Sequence, residues 1–314
     1  MASFTGITMK GKYLNPKADL TFKKIFGEHP DLVMSLLNAL LPLEEGKLIE
    51  NVEYLSPEMV PENPGKKNSI VDVRCFETGG RQFIVEMQMN WNNEFEQRVI
   101  LNASKAVVKQ LNQSEDYTLI QPVYALNLIN DVGFDAGPDE FYHDYAIVNV
   151  AHTDRIIKGL RFVFVELPKF FAAKADDKHL PRPIALRKMA VLWLRFLTEI
   201  GNETEEAPAE LLENPDTCKA LKILEKSAYS ESQLRAYEYY WDAVHNERSA
   251  IRGGYNKGRA EGREEGREEG REEGREEGIQ QEKLRNARKM KELCMNTDMI
   301  AQVTGLTPKQ IEQL

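Results

Sequence analysis

Ser69-Ile70-Val71-Asp72-Val73-Arg74-Cys75-Phe76, Glu77-Thr78-Gly79-Gly80 and Gln82-Phe83-Ile84-Val85-Glu86-Met87-Gln88-Met89 read as two alternating runs around a turn. That pattern predicts a β-hairpin. Two of its polar members sit where a strand interior makes them costly: Asp72 between Val71 and Val73, and Glu86 between Val85 and Met87. A carboxylate in the inner region of a sheet has to be paired or coordinating. With the turn at Thr78-Gly79, Asp72 and Glu86 are nearly equidistant from it, so they fall across from one another. Two close carboxylates repel unless a proton or a cation bridges them. A hard cation such as Mg²⁺ suits that bridge. Gln88 projects to the same face as Glu86, where its amide could orient an attacking water. Spacing alone leaves a second reading open, because single acids in strands often face solvent.

Around the hairpin the pattern is mixed. Residues 19–41 are helical and broken near His29-Pro30, with Phe22, Ile25 and Phe26 on one face and Val33, Leu36, Leu37 and Leu40 on another. Residues 47–55 read as a strand, and the Pro-rich 57–68 as no regular element. An amphipathic helix is predicted over 94–113, strands over 122–129 and 161–167, and helices over 184–200 and 215–246. Helix, strand, hairpin, helix, strand is an α/β order, with the hairpin beside a crossover helix.

Composition narrows the class. A chain of 314 residues with 42% hydrophobic residues can bury a core, so wholesale disorder is excluded. Cys75, Cys218 and Cys294 stand far apart, giving neither a disulfide framework nor a zinc knuckle, and predict reduced thiols in a cytoplasm. The longest apolar run, 189–197, is short of a membrane span and contains Arg195. The first residues, MASFTGITMKGKY, hold no apolar signal core. No membrane association is expected. His29, His143, His152, His179 and His245 have no metal-like or triad-like spacing. A net charge of -9 argues at first sight against nucleic acid. It is only an average over surfaces.

One segment is unlike the rest. Residues 258–278 read GRAEGREEGREEGREEGREEG, with a glycine at every fourth position. Each glycine costs an isolated helix roughly 1 kcal/mol relative to alanine. The i,i+3 pairs Glu264–Arg267, Glu268–Arg271 and Glu272–Arg275 return only about 0.2–0.5 kcal/mol each. A frayed helix or solvated spacer is therefore favoured unless partner helices cover the glycines. Residues 253–278 carry six basic and nine acidic side chains, so they hold -3 of the net charge. Beyond them, Lys283, Arg285, Arg288, Lys289 and Lys291 outnumber Glu282 and Glu292. Residues 297–314 then read as helix, turn, helix, with Gly305 as a C-cap and Thr307, Pro308 and Gln310 opening the second helix. This suits a helix-turn-helix DNA module with Lys309 as a reader, and equally a docking or dimerisation hairpin.

Together these stretches resemble the Rpn-type recombination-promoting nucleases, transposase-like members of the PD-(D/E)XK nuclease superfamily. The likeness rests on Asp19-Leu20-Thr21-Phe22-Lys23-Lys24-Ile25-Phe26-Gly27, on Ile70-Val71-Asp72-Val73-Arg74, on Ile84-Val85-Glu86-Met87-Gln88, and on the following helix with Arg98. It implies an α/β, restriction-endonuclease-like core, a mixed central sheet flanked by helices, with a helical C-terminal extension. The expected divisions are a nuclease domain at 1–200, a helical extension at 201–252, the repeat as linker or helix at 253–278 and a helix-turn-helix-like tail at 279–314. The resemblance further implies Mg²⁺ or another divalent cation held by Asp72 and Glu86, and hydrolysis of DNA phosphodiesters with Gln88 as third catalytic residue. Gln88 stands where the superfamily name has lysine, and Val71 where it has proline. Asp19, Lys23 and Arg98 are accessory candidates, although Asp19 also fits a helix N-cap. Lys24, Lys66, Lys67, Lys105 and Lys309 are candidates for DNA phosphates, and the repeat and tail for homo-oligomer contacts. The alternative is a DNA-binding or oligomerising scaffold with a weak or inactive site.

Overall fold

The structure, a computed structural model, describes residues 10–59, 69–112, 114–173 and 188–314. By its contacts the chain divides into a larger unit ending at Glu247 and a smaller one, Arg248–Leu314.

The larger unit opens with α1 (Asp19–Phe22), which tightens into a π-helical turn, Lys23–Gly27. After the expected break, α2 (Pro30–Leu40) starts with proline at its first turn, where a missing N–H costs nothing. Strands follow: β1 (Glu53–Tyr54), β2 (Val73–Phe76) and β3 (Gln82–Gln88). Helix α3 (Phe95–Val108) leads to β4 (Val123–Ile129), β5 (Tyr142–Asn149) and β6 (His152–Glu166). The strands form one mixed sheet in the order β1-β2-β3-β4-β6-β5. Within it β4 runs parallel to both β3 and β6, and the remaining neighbours pair antiparallel. The expected mixed sheet flanked by helices is present.

Alternation along the strands feeds two cores. Ile84, Val123, Ala125, Ile129 and Phe164 meet Phe95, Val99, Ala103 and Ala106 of α3, the crossover helix that parallel neighbours require. On the other face Val73, Cys75, Phe83, Val85, Leu126, Leu128, Val163 and Val165 join a larger core with α1 and α2. That core also takes side chains from α4 (Leu167–Ala173), α5 (Lys188–Glu199), α6 (Ala209–Glu213), α7 (Pro215–Leu224) and the start of α8 (Glu231–Glu292). Trp193 of α5 is fully buried, edge-on to Phe26 with ring centroids 5.4 Å apart. The chain's early residues are stitched to late ones: Leu14 N–H donates to the Leu224 carbonyl at 2.9 Å, and Lys226 N–H to the Lys12 carbonyl at 3.1 Å.

Three elements differ from the sequence reading. The strand expected over 47–55 shrinks to Glu53–Tyr54. The reason is local: the Asn38 amide donates to the Ile49 carbonyl at 2.9 Å and accepts its N–H at 2.8 Å, closing both groups to a neighbouring strand. Strand β6 begins nine residues before the expected 161 and pairs with β5, which the pattern did not predict. The helix expected over 215–246 is interrupted between α7 and α8, where Glu225 forms a β-bridge with Tyr13.

The repeat lies wholly inside α8, and a Cβ built on any of its glycines would meet nothing within 4 Å. Nucleation, the costly step of helix formation, is supplied where Tyr237, Trp241 and Val244 are buried in the larger core, and Arg and Glu then extend the helix at low cost. In the smaller unit α9 (Thr297–Thr304) and α10 (Pro308–Glu312) enclose a small core of Ala287, Ile300, Leu306 and Ile311. Gly305 closes α9 at φ +68°, the left-handed position glycine favours, and Thr307 with Gln310 forms the capping box of α10.

Candidate active site

The hairpin turn is closed by Glu77 N–H donating to the Arg81 carbonyl at 3.1 Å, and the ladder then runs from Phe76↔Gln82 to Val73↔Val85. One further step in that register brings Asp72 opposite Glu86. At this point the strand leaves the ladder: Val71 N–H turns to the Pro57 carbonyl at 3.1 Å. The Met87 N–H, which a continued ladder would direct to Val71, is taken instead by the Asp72 carboxylate at 2.7 Å. One carboxylate thus replaces a backbone acceptor and is fixed beside the other.

Glu86 is buried, and the Asn102 amide of α3 donates to its carboxylate at 2.8 Å. One turn earlier on α3, Arg98 donates to the Gln88 side-chain oxygen at 2.5 Å. The match is geometric: Glu86 and Gln88 lie two residues apart on a strand and Arg98 and Asn102 four apart on a helix, each separation about 6–7 Å. Gln88 Nε2 donates to the Asn90 carbonyl at 2.6 Å, and the Asn90 amide donates to Glu247 at 2.8 Å. Lys23 Nζ lies 2.5 Å from Asp19 and 3.9 Å from Asp72. Asp19 therefore pairs with Lys23, and it is not the N-cap expected: Ala18 holds that position and Asp19 is the first residue of α1. Tyr240 of α8 packs against the larger core; burial, and then the negative charge of Asp19 and Asp72, push its phenol up.

Burial raises both central acids, Asp72 to about 6 and Glu86 to about 7. For Asp72 the Met87 N–H and Lys23 pull the other way; for Glu86 the Asn102 amide does, while the charge of Asp72 raises it further. These are acids that ionise reluctantly unless positive charge arrives. Among the described residues no three His, Cys, Asp or Glu side chains gather into a metal-ligand group. The donor set is two hard carboxylates, which fits a magnesium-like ion that keeps several waters and binds through one or two carboxylates plus substrate oxygens. Asn102 Oδ1 is buried without a hydrogen-bond partner, an acceptor open to a donor arriving with a hydrated ion.

The other expected residues fall apart from this cluster. Lys24 sits over the Tyr229 ring at 3.9 Å. Lys105 donates to Ser69 Oγ at 2.8 Å. Lys309 lies on α10 of the smaller unit. Lys66 and Lys67 lie outside the described residues. Asn102, Asn90 and Tyr240 escaped the sequence reading; the i,i+4 spacing of Arg98 and Asn102 was the one signal available for the first.

A mixed sheet flanked by helices, with a buried Glu86 and a partly buried Asp72 at its hairpin, defines an α/β protein of the PD-(D/E)XK type. A family model described as PD-(D/E)XK nuclease family transposase matches residues 16–254. The chain belongs to that family, and the match takes in every residue of the cluster. No curated protein and no solved structure matches the chain. Among the described residues no helix is long and apolar enough to cross a membrane.

Proposed function

We infer that the chain is a divalent-cation-dependent DNA endonuclease, with Mg²⁺ as the natural ion, acting in recombination or mobile-element biology. The observation that carries this reading is the Asp72–Glu86 pair, Glu86 buried and Asp72 partly so, each acid fixed by its own donor. Asp72 and Glu86 hold the cation, which when bound supplies Lewis-acid stabilisation of phosphate charge and lowers the pKa of water. The chain's residues do the rest. Met87 N–H and Asn102 keep the two carboxylates in place. Lys23 holds positive charge at the edge of the pair. The Gln88 amide hydrogen that Asn90 leaves unused can orient the attacking water. Met87's carbonyl is available as a further oxygen ligand.

Plasmid DNA incubated with the protein and Mg²⁺ should be nicked or cut. Asp72→Ala and Glu86→Ala should abolish the cutting, and equal cleavage by all three proteins would sink the assignment. Calorimetry separates the second reading, an oligomerising scaffold. No binding of divalent cation, with DNA binding or self-association intact, would favour it.

A further inference from the structure

Gln88 is neutral, so the cluster has no cation on the strand that carries Glu86. Arg98 is placed to supply one. Its guanidinium is fixed from two sides, donating to Gln88 and lying over the Phe95 ring with 4.9 Å from its carbon to the ring centroid. Among the described residues it forms no ion pair, although its charge favours the ionised form of both Asp72 and Glu86. A guanidinium has five N–H donors in a planar fork; the bond to Gln88 uses one. The half-buried side chain also lines an open cavity of about 670 Å³, together with Ser69, Ile70, Asn93, Glu94, Gln97 and Leu101. A positioned arginine without an ion-pair partner, lining an open cavity and held by the residue two on from Glu86, is suited to bidentate phosphate binding.

We propose that Arg98 is a catalytic residue: its guanidinium clamps the reacting phosphate of the nucleic-acid backbone and Gln88 holds it in place. This rests on the nuclease reading above and deepens it. Charge and strand position are thereby divided between two residues: Gln88 occupies the motif position and Arg98, reaching from α3, carries the positive charge. The clamp acts on charge that develops on the phosphate oxygens as the phosphodiester breaks, where a fixed donor counts most.

Steady-state cleavage of plasmid DNA with Mg²⁺ tests the assignment, with Asp72→Asn as the control for the underlying reading. Arg98→Gln should lower kcat by roughly 10²–10³-fold, the loss typical of one transition-state donor. Its cation affinity, measured by calorimetry with Mg²⁺ alone, should stay within about threefold of wild type, because no ligand is removed. Adding Gln88→Lys to Arg98→Gln should restore at least about tenfold in kcat, a rescue that a merely structural arginine would not show. Arg98→Lys keeps the charge and serves if the glutamine variant does not fold; kcat as low as that of Asp72→Asn would overturn the proposal. Cleavage lost in Asp72→Asn but unchanged in Arg98→Gln, or no rescue by the added lysine, would overturn this assignment alone. No cleavage by the wild type would sink the nuclease reading and this proposal with it.

Discussion

Asp72 and Glu86 raise an energetic problem before they solve a chemical one. Their folded-state values, about 6 and about 7, lie above the roughly 4 of unfolded carboxyls, so the folded protein retains protons that the unfolded chain has released. Stability of the cation-free protein should therefore fall as pH rises from about 4 through about 7. The Asp72→Asn, Glu86→Gln double variant should flatten that slope in thermal melts. On the nuclease reading the ionised pair is the form that would hold a cation, so Mg²⁺ should raise the melting temperature more near pH 8 than near pH 5. Asn102→Ala should weaken cation binding by about 10–100-fold, as loss of a partner to a ligand commonly does. The pairing of Asp72 with Glu86 was legible in the sequence, because a hairpin turn fixes register by counting. Asn102 was not, because nothing in a helix sequence says which strand residue lies beneath it.

Behind the cluster, Glu166 at the end of β6 holds a loop in place. Fully buried, it accepts from Gly133 and Phe134 N–H at 2.8 and 3.2 Å, lies 2.7 Å from Lys169 and 2.9 Å from His143. Burial alone would raise its pKa, but His143, Lys169 and the two N–H groups outweigh it and hold it at about 2. That stabilisation is complete above the unfolded carboxylate value of about 4.3 and is lost as pH falls from there through about 2. Glu166→Ala should cost about 3–5 kcal/mol in denaturant unfolding, since it strands the buried Lys169. The loop must also pass close to Trp91, whose backbone N–H donates to the Asp131 carboxylate at 2.8 Å. A Cβ on Gly133 would lie 2.1 Å from the Trp91 ring, so Gly133→Ala should destabilise by about 1–3 kcal/mol. Here the sequence was less informative. Strands β3 and β4 announce themselves by apolar alternation against a core, whereas much of β5 and the first half of β6 is exposed, and a strand with two wet faces has no such signature.

Across the full chain, acidity and DNA binding are compatible, because charge is distributed unevenly. Residues 253–278 alone hold -3 of the total -9, while the segment after them is locally basic. DNA affinity should accordingly drop steeply with salt, checkable by titration at several ionic strengths. The repeat's helix also makes a prediction. Replacing its glycines with alanine meets no atom within 4 Å and should strengthen the helix by about 1 kcal/mol per site, seen as slower amide hydrogen exchange. The propensity arithmetic favoured a frayed helix or solvated spacer, where the structure has continuous helix; it could not see that a buried stretch of the same helix would start it.

The stitching of Leu14 to Leu224, with Tyr240 packed against the larger core, has a consequence in time. A ribosome adding about 5–20 residues per second takes on the order of 10–40 s to travel between the two partners of that bond. For most of that interval the nascent chain has made the hairpin and both acids but lacks α8, whose Tyr237, Trp241 and Val244 complete the larger core. Chains stalled near residue 200 should therefore be protease-sensitive and, on the nuclease reading, inert toward DNA.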